Sequence, residues 1–324
     1  MKTVTTRYIF SLLAALAIVS CNQAPKQQAE PAASAETESS VKLSLAQWSL
    51  HRAIRSGEMS PYDFAEKAHE MGFQGLEYVN QLYTDVVRAE DKKAAVAAFV
   101  EKNNELAAQF GLQNVLIMID GEGSLSTSDA TSRAEAIENH KLWIDAAADM
   151  GCSAVRLNLY GEKDPELWTS NSIESLSALS AYAAPKGINV LVENHGRISS
   201  NAAALMGVIN GVNAPNCGTL PDFGNFCVAE EGYGSVFDGS CTEVYDIYQG
   251  VEEMMPKAMA LSAKSNDFDE NGDETFIDYS RMLQIAKSYG YDGFIGVEYE
   301  GSRLSEIEGI KATRDLLIKA SASL

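Results

Sequence analysis

The chain of 324 residues carries 45 acidic against 25 basic side chains, a formal net charge of -20. Nucleic acid and anionic lipid surfaces are therefore disfavoured as partners, because either polyanion would be repelled. Five cysteines with no CxxC pair argue against a thiolate zinc or redox centre.

In chain order, residues 1–20 have the form of a signal peptide: Lys2 and Arg7, an apolar run from Tyr8 to Val19, then small Ser20 before Cys21. The run is too short for a comfortable membrane span. Cys21 is expected to be the lipid-bearing first residue of a mature lipoprotein, its lipid the only membrane contact, on a protein that faces the periplasm or cell envelope. Residues 21–41, rich in Gln, Ala, Pro, Glu and Ser, are expected to form a flexible tether. The remaining 42–324, roughly 280 residues, suit a single domain.

That domain is punctuated by helical segments ending in Gly before a short apolar run, at Gly72, Gly111, Gly151, Gly187 and Gly290. Strands are expected at 43–48, 75–79, 114–119, 154–158, 189–193, 218–222, 258–264 and 293–298. Eight strands alternating with helices predict an α/β fold, a (β/α)8 TIM barrel. The competing doubly wound sheet lacks its Gly-rich turn after the first strand. Cys152 and Cys217 begin apolar runs and read as buried thiols, whereas Cys227 and Cys241 flank a Gly- and Tyr-rich segment where a disulfide is open. His69 and His140 lie in helices among charged neighbours and are expected on the surface.

Barrel active sites lie at the C-terminal ends of the strands, where this chain concentrates polar residues. They are Trp48 and His51, Glu77, Arg156 and Asn158, Glu193 and His195, Asp222 and Asn225, Ser262 and Lys264, and Glu298 and Glu300. Residues two apart in a strand face one way, so Val190 to Gly196 would project Glu193 and His195 together. Glu193, Asp222 and Glu298, each closing an apolar run, are expected to meet around one metal ion.

The stretches Gln47-Trp-Ser-Leu-His51, Gly75-Leu-Glu-Tyr-Val-Asn80, Val192-Glu-Asn-His-Gly196, Pro221-Asp-Phe-Gly-Asn-Phe226, Ser262-Ala-Lys-Ser265 and Gly296-Val-Glu-Tyr-Glu-Gly301 resemble the xylose isomerase-like sugar isomerase and epimerase superfamily. The likeness runs from Leu43 to Leu324. It implies one divalent ion (Mn, Mg, Co or Zn) held by a Glu, an Asp, a His and a Glu from strands five to eight. Three of these carry over as Glu193, Asp222 and Glu298, but Ala258 to Asp273 contains no histidine. The inward positions there are Ser262 and Lys264, and a charged ammonium has no lone pair for a metal. Either His195 moves in as fourth ligand, or the ion keeps more water, or metal binding is weakened; His195 is the favoured answer, since imidazole with carboxylates suits Mn, Co or Zn.

The resemblance further implies that Glu193 and Glu298 exchange a proton beside a sugar carbonyl, through an enediolate. Lys264 or His51 would polarise the carbonyl or hold hydroxyls, Arg156 would grip a carboxylate or ring oxygen, and Trp48 would stack on the sugar. Glu77, Asn158, Asn225 and Glu300 complete the expected substrate site. The partner is a small-molecule sugar or keto-glycoside, and isomerase or epimerase is the first reading. A 3-keto-glycoside lyase and a non-catalytic sugar-binding lipoprotein stand as alternatives. Residues 267–278 match most positions of an EF-hand loop, but Asp278 replaces its final Glu, and a polar loop capping the next helix is the expected reading.

Overall fold

The computed structural model describes residues 41–229, 235–237 and 241–324. The signal peptide, and the tether apart from Val41, lie outside the described residues. The apolar runs form β1 (Lys42–Ala46), β2 (Gly75–Val79), β3 (Gln113–Ile119), β4 (Ala154–Leu157), β5 (Asn189–Glu193), β6 (Cys217–Leu220), β7 (Leu261–Ser265) and β8 (Phe294–Tyr299). All pairings are parallel, in the order β6-β5-β4-β3-β2-β1-β8-β7. The β6 and β7 edges meet through the bridges Thr219↔Ala258 and Asp222↔Ser262, which complete a (β/α)8 barrel. Val190, Leu191 and Val192 are all fully buried, as a strand covered on both faces requires.

Helices with one apolar stripe pack against this sheet, and polar caps start them. Asp129, Asp164, Asp278 and Ser305 each accept a backbone N–H in the first turn of the helix that follows. The five punctuating glycines all adopt the left-handed backbone expected of them, with φ between 67° and 78°.

Strand boundaries differ where backbone chemistry intervenes. β1 stops at Ala46, and residues 47–50 form a 3-10 turn, so Trp48 leaves from a turn. β6 stops at Leu220 because Pro221 has no N–H for a ladder, although its carbonyl still accepts from Ser262. The 3-10 turn Met255–Lys257 delays β7 to Leu261.

Cys227 and Cys241 are joined in a disulfide, and Cys152 and Cys217 are free and buried. His69 is exposed as expected, but His140 is not, being 2% exposed, with Nδ1 2.7 Å from the Ala136 carbonyl. The EF-hand-like loop spends its carboxylates internally: Asp267 pairs with Arg303, Asp269 accepts from the amides of Asn271 and Asp273, Asp273 pairs with Lys319, and Asp278 caps its helix. Among the described residues, no helix is long and apolar enough to cross a membrane.

Candidate active site

The C-terminal ends of β5, β6 and β8 bring Glu193, Asp222 and Glu298 together, with one oxygen of each within 4.8 Å of the others and all three buried. Asn194 fixes the geometry between strands: its amide donates to the Asp222 and Asn225 carbonyls, and its Oδ1 accepts from the Asp222 N–H. The Asp222 carboxylate is held at 2.7 Å by the Ser262 hydroxyl and at 2.8 Å by the Gly224 N–H. Asn225 donates to Glu193 Oε1 at 2.9 Å. Arg156 Nε lies 2.8 Å from Glu193 Oε2, although its N–H is not aimed at that oxygen.

Ser262 and Lys264 are the two β7 residues that reach the site. The Lys264 ammonium donates to Asn225 Oδ1 at 2.9 Å and lies 3.0 Å from Glu300 Oε2 and 3.4 Å from Glu298 Oε1. Glu300 also accepts from the Trp48 indole N–H. The Trp48 ring stacks on His51 at 4.5 Å and lies 4.6 Å from the Arg55 guanidinium, so two partners already contact its faces. His51 Nδ1 is 2.6 Å from the Trp48 carbonyl.

His195 stands outside the carboxylate group, and its Nδ1 contacts the Tyr160 hydroxyl at 2.5 Å. β5 ends at Glu193, and Gly196 turns the chain at φ 90°, so the alternation expected to align His195 with Glu193 is broken. The expected His195 ligand is thus not part of the assembled donor set. Glu77 is fully buried, bonded to the Ser44 hydroxyl at 2.5 Å, and its carboxylate fills the space where a Cβ on Gly296 would fall.

Asp120, directly after β3, is a site residue the sequence reading missed. It accepts from Arg156 at 2.9 Å and from Asn158 at 3.0 Å. The rule that selected the others, a carboxylate closing an apolar run, also describes Asp120.

Charge in this pocket is unbalanced. Asp120, Glu193, Asp222, Glu298 and Glu300 face two cations, Arg156 and Lys264. Burial pushes Asp222 up to about 6, with Glu193 adding to the effect against Lys264. Burial likewise raises Glu193 and carries Glu298 well above the usual carboxylate range. Burial opposes the charge on Lys264, but Glu300, Asp222, Glu298 and Glu193 outweigh it and hold the ammonium protonated. Burial, then Lys264 and Arg156, press His195 down to about 4, leaving it neutral near pH 7.

These features fit a cation: three converging buried carboxylates, a Glu193 oxygen without an aligned donor, and excess negative charge. An all-oxygen donor set suits a hard divalent ion such as magnesium or manganese.

The fold and site define a (β/α)8 barrel with a buried acidic triad at the C-terminal mouth. The chain belongs to the xylose isomerase-like TIM barrel family, whose model matches residues 65–320. Among solved structures it is similar to a D-allulose 3-epimerase from Methylomonas sp., at 14% identity and TM-score 0.63, over 86% of this chain and 98% of that one. It is also similar to a 3-keto-D-glucoside 4-epimerase from E. coli, at 13% identity and TM-score 0.59, over 85% and 98% of the two chains. A third, a xylose isomerase-like TIM barrel protein from Mycobacterium smegmatis in complex with magnesium, aligns at 17% identity and TM-score 0.57, over 81% and 88%. A comparison with the curated proteins finds no match.

Proposed function

We propose that this protein is a divalent-metal-dependent sugar isomerase or epimerase that moves a proton beside a carbonyl through an enediolate. The convergence of Glu193, Asp222 and Glu298 carries the reading. Structural likeness to a D-allulose 3-epimerase and to a magnesium-bound family member supports it. A divalent ion held by the triad would acidify the hydrogen between a carbonyl and its neighbouring hydroxyl.

The chain's own groups supply the rest. Glu298 takes the proton on one side of the substrate and Glu193 returns one on the other. Burial raises the proton affinity of both carboxyls, and a divalent ion at the triad would oppose that rise, so that each could release and take up a proton. Asn225 holds one oxygen of Glu193 by a hydrogen bond, and Arg156, held by Asp120, sets a positive charge beside the other. Lys264, always protonated, acts as a donor to substrate oxygen and never as a base. Glu300, His51 and Asn158 offer polar contacts to sugar hydroxyls, with Trp48 placing Glu300. A 3-keto-glycoside fits as substrate class, since one solved neighbour is named for a 3-keto-D-glucoside.

The test is solvent deuterium incorporation into keto-sugars and 3-keto-glycosides. Exchange should vanish with chelator, return with Mn²⁺, and fall about 10²–10⁴-fold in Glu298→Gln. Chelator-insensitive exchange, or full exchange by Glu298→Gln, rejects the reading.

Cys21 is proposed as the lipid anchor on an envelope-facing tether, a reading carried by sequence alone. Cys21→Ala should abolish palmitate incorporation and release the protein from membranes; persistent labelling would exclude that anchor.

A further inference from the structure

Lys264 is, with Ser262, one of the two inward residues of β7, the strand from which the resemblance implies a histidine ligand, and its contacts are those of a cation already in residence. Its side chain is 2% exposed. It touches Glu298 of the triad at 3.4 Å and reaches a second member through one amide, since Asn225 accepts from Lys264 and donates to Glu193, each at 2.9 Å. The stem runs close against Gly224, where an added Cβ would lie 3.0 Å from Lys264 Cδ and 3.2 Å from Cγ. The ammonium is therefore held in place by both its carbon stem and its acceptors.

We infer that Lys264 is a built-in counter-cation that competes with the divalent ion for the triad, so that residue 264 sets the affinity of the site for metal. The inference rests on the metal-dependent reading above. Two cations sharing one buried carboxylate repel strongly where the dielectric is low, so the ion binds against the charge of the lysine. Glu300 and Asn225 keep the ammonium satisfied when Glu298 turns to the ion, so the lysine has no need to leave. A purely structural lysine predicts the opposite outcome, because its removal would disorder the carboxylates and weaken metal binding.

The experiment is Mn²⁺ titration of metal-free full-length protein by calorimetry, comparing wild type with Lys264→Met and Lys264→Gln. Both variants should bind Mn²⁺ about tenfold tighter or more. Without metal their unfolding temperature should fall below that of wild type, and Mn²⁺ should raise it more than it raises the wild type. If the Met variant does not fold, the Gln variant, which keeps an amide donor for Glu298, decides. Unchanged or weaker affinity in a folded variant overturns the inference and leaves the metal-dependent function standing. Binding by the variants but not the wild type supports the competition and removes metal dependence from the native protein. Absence of binding in all three overturns both.

Discussion

Buried carboxylates at two places near the C-terminal ends of the strands are built on different terms. Glu122, three residues past the end of β3, is surrounded by donors: Lys92 at 2.6 and 2.7 Å, the Trp143 indole at 2.7 Å and the Asn80 amide at 3.3 Å. Both its oxygens are engaged, and nothing about it invites a further partner. Glu193, Asp222 and Glu298 instead crowd together with too little positive charge among them. A carboxylate whose acceptors are all used holds a fold together, whereas carboxylates that repel one another store a demand for a cation or a proton.

The contrast can be broken first at Glu298. Alongside the loss of exchange, Glu298→Gln should leave the unfolding temperature of the metal-free protein unchanged or raise it, since one repelling charge is gone. A clear drop in calorimetric stability would place Glu298 with Glu122 as a structural acid.

The converse substitution, Glu122→Ala, should cost about 1–3 kcal/mol in urea unfolding, because it leaves the buried Trp143 N–H without its acceptor and frees the half-buried Lys92. Mn²⁺ affinity should stay unchanged in that variant; a matching loss of metal binding would erase the distinction.

The smallest effect concerns His140, buried on the Glu122 side. Burial lowers its pKa, with the Ala136 carbonyl and Glu122 opposing. The unfolded chain takes up a proton near pH 6.5 that the folded protein refuses, so stability is full above that pH and declines as pH falls below it. His140→Gln should flatten the drop in urea midpoint between pH 7 and 5; an unaltered pH slope would show that His140 does not contribute to it.

Much of this was legible in the sequence, for identifiable reasons. β2 and β5 fall at their expected limits because glycine or polar residues bound dense apolar runs. The triad was readable because each member closes such a run. His140 was misplaced because its immediate neighbours are charged, although Ala136, His140, Trp143 and Ala147 trace one buried helical stripe. His195 follows the end of β5, where strand alternation no longer fixes its direction, and the acidic group that assembles is Glu193, Asp222 and Glu298. The clamp made by Asn194 depends on pairing β5 with β6 and had no local signature.

The β6–β7 junction has a consequence for how the site comes into being. Glu193 and Asp222 belong to one lip of that junction, Lys264 and Glu298 to the strands that close it. A ribosome delivers them in that order, so Asp222 emerges without the ammonium that later faces it. Until the last two strands lap onto the first six, Glu193 has Arg156 and the Asn225 amide beside it, and Asp222 has the Gly224 N–H. Barrel closure therefore completes the site, and a nascent chain halted before β7 holds Glu193 and Asp222 without Glu298 or the Lys264 ammonium.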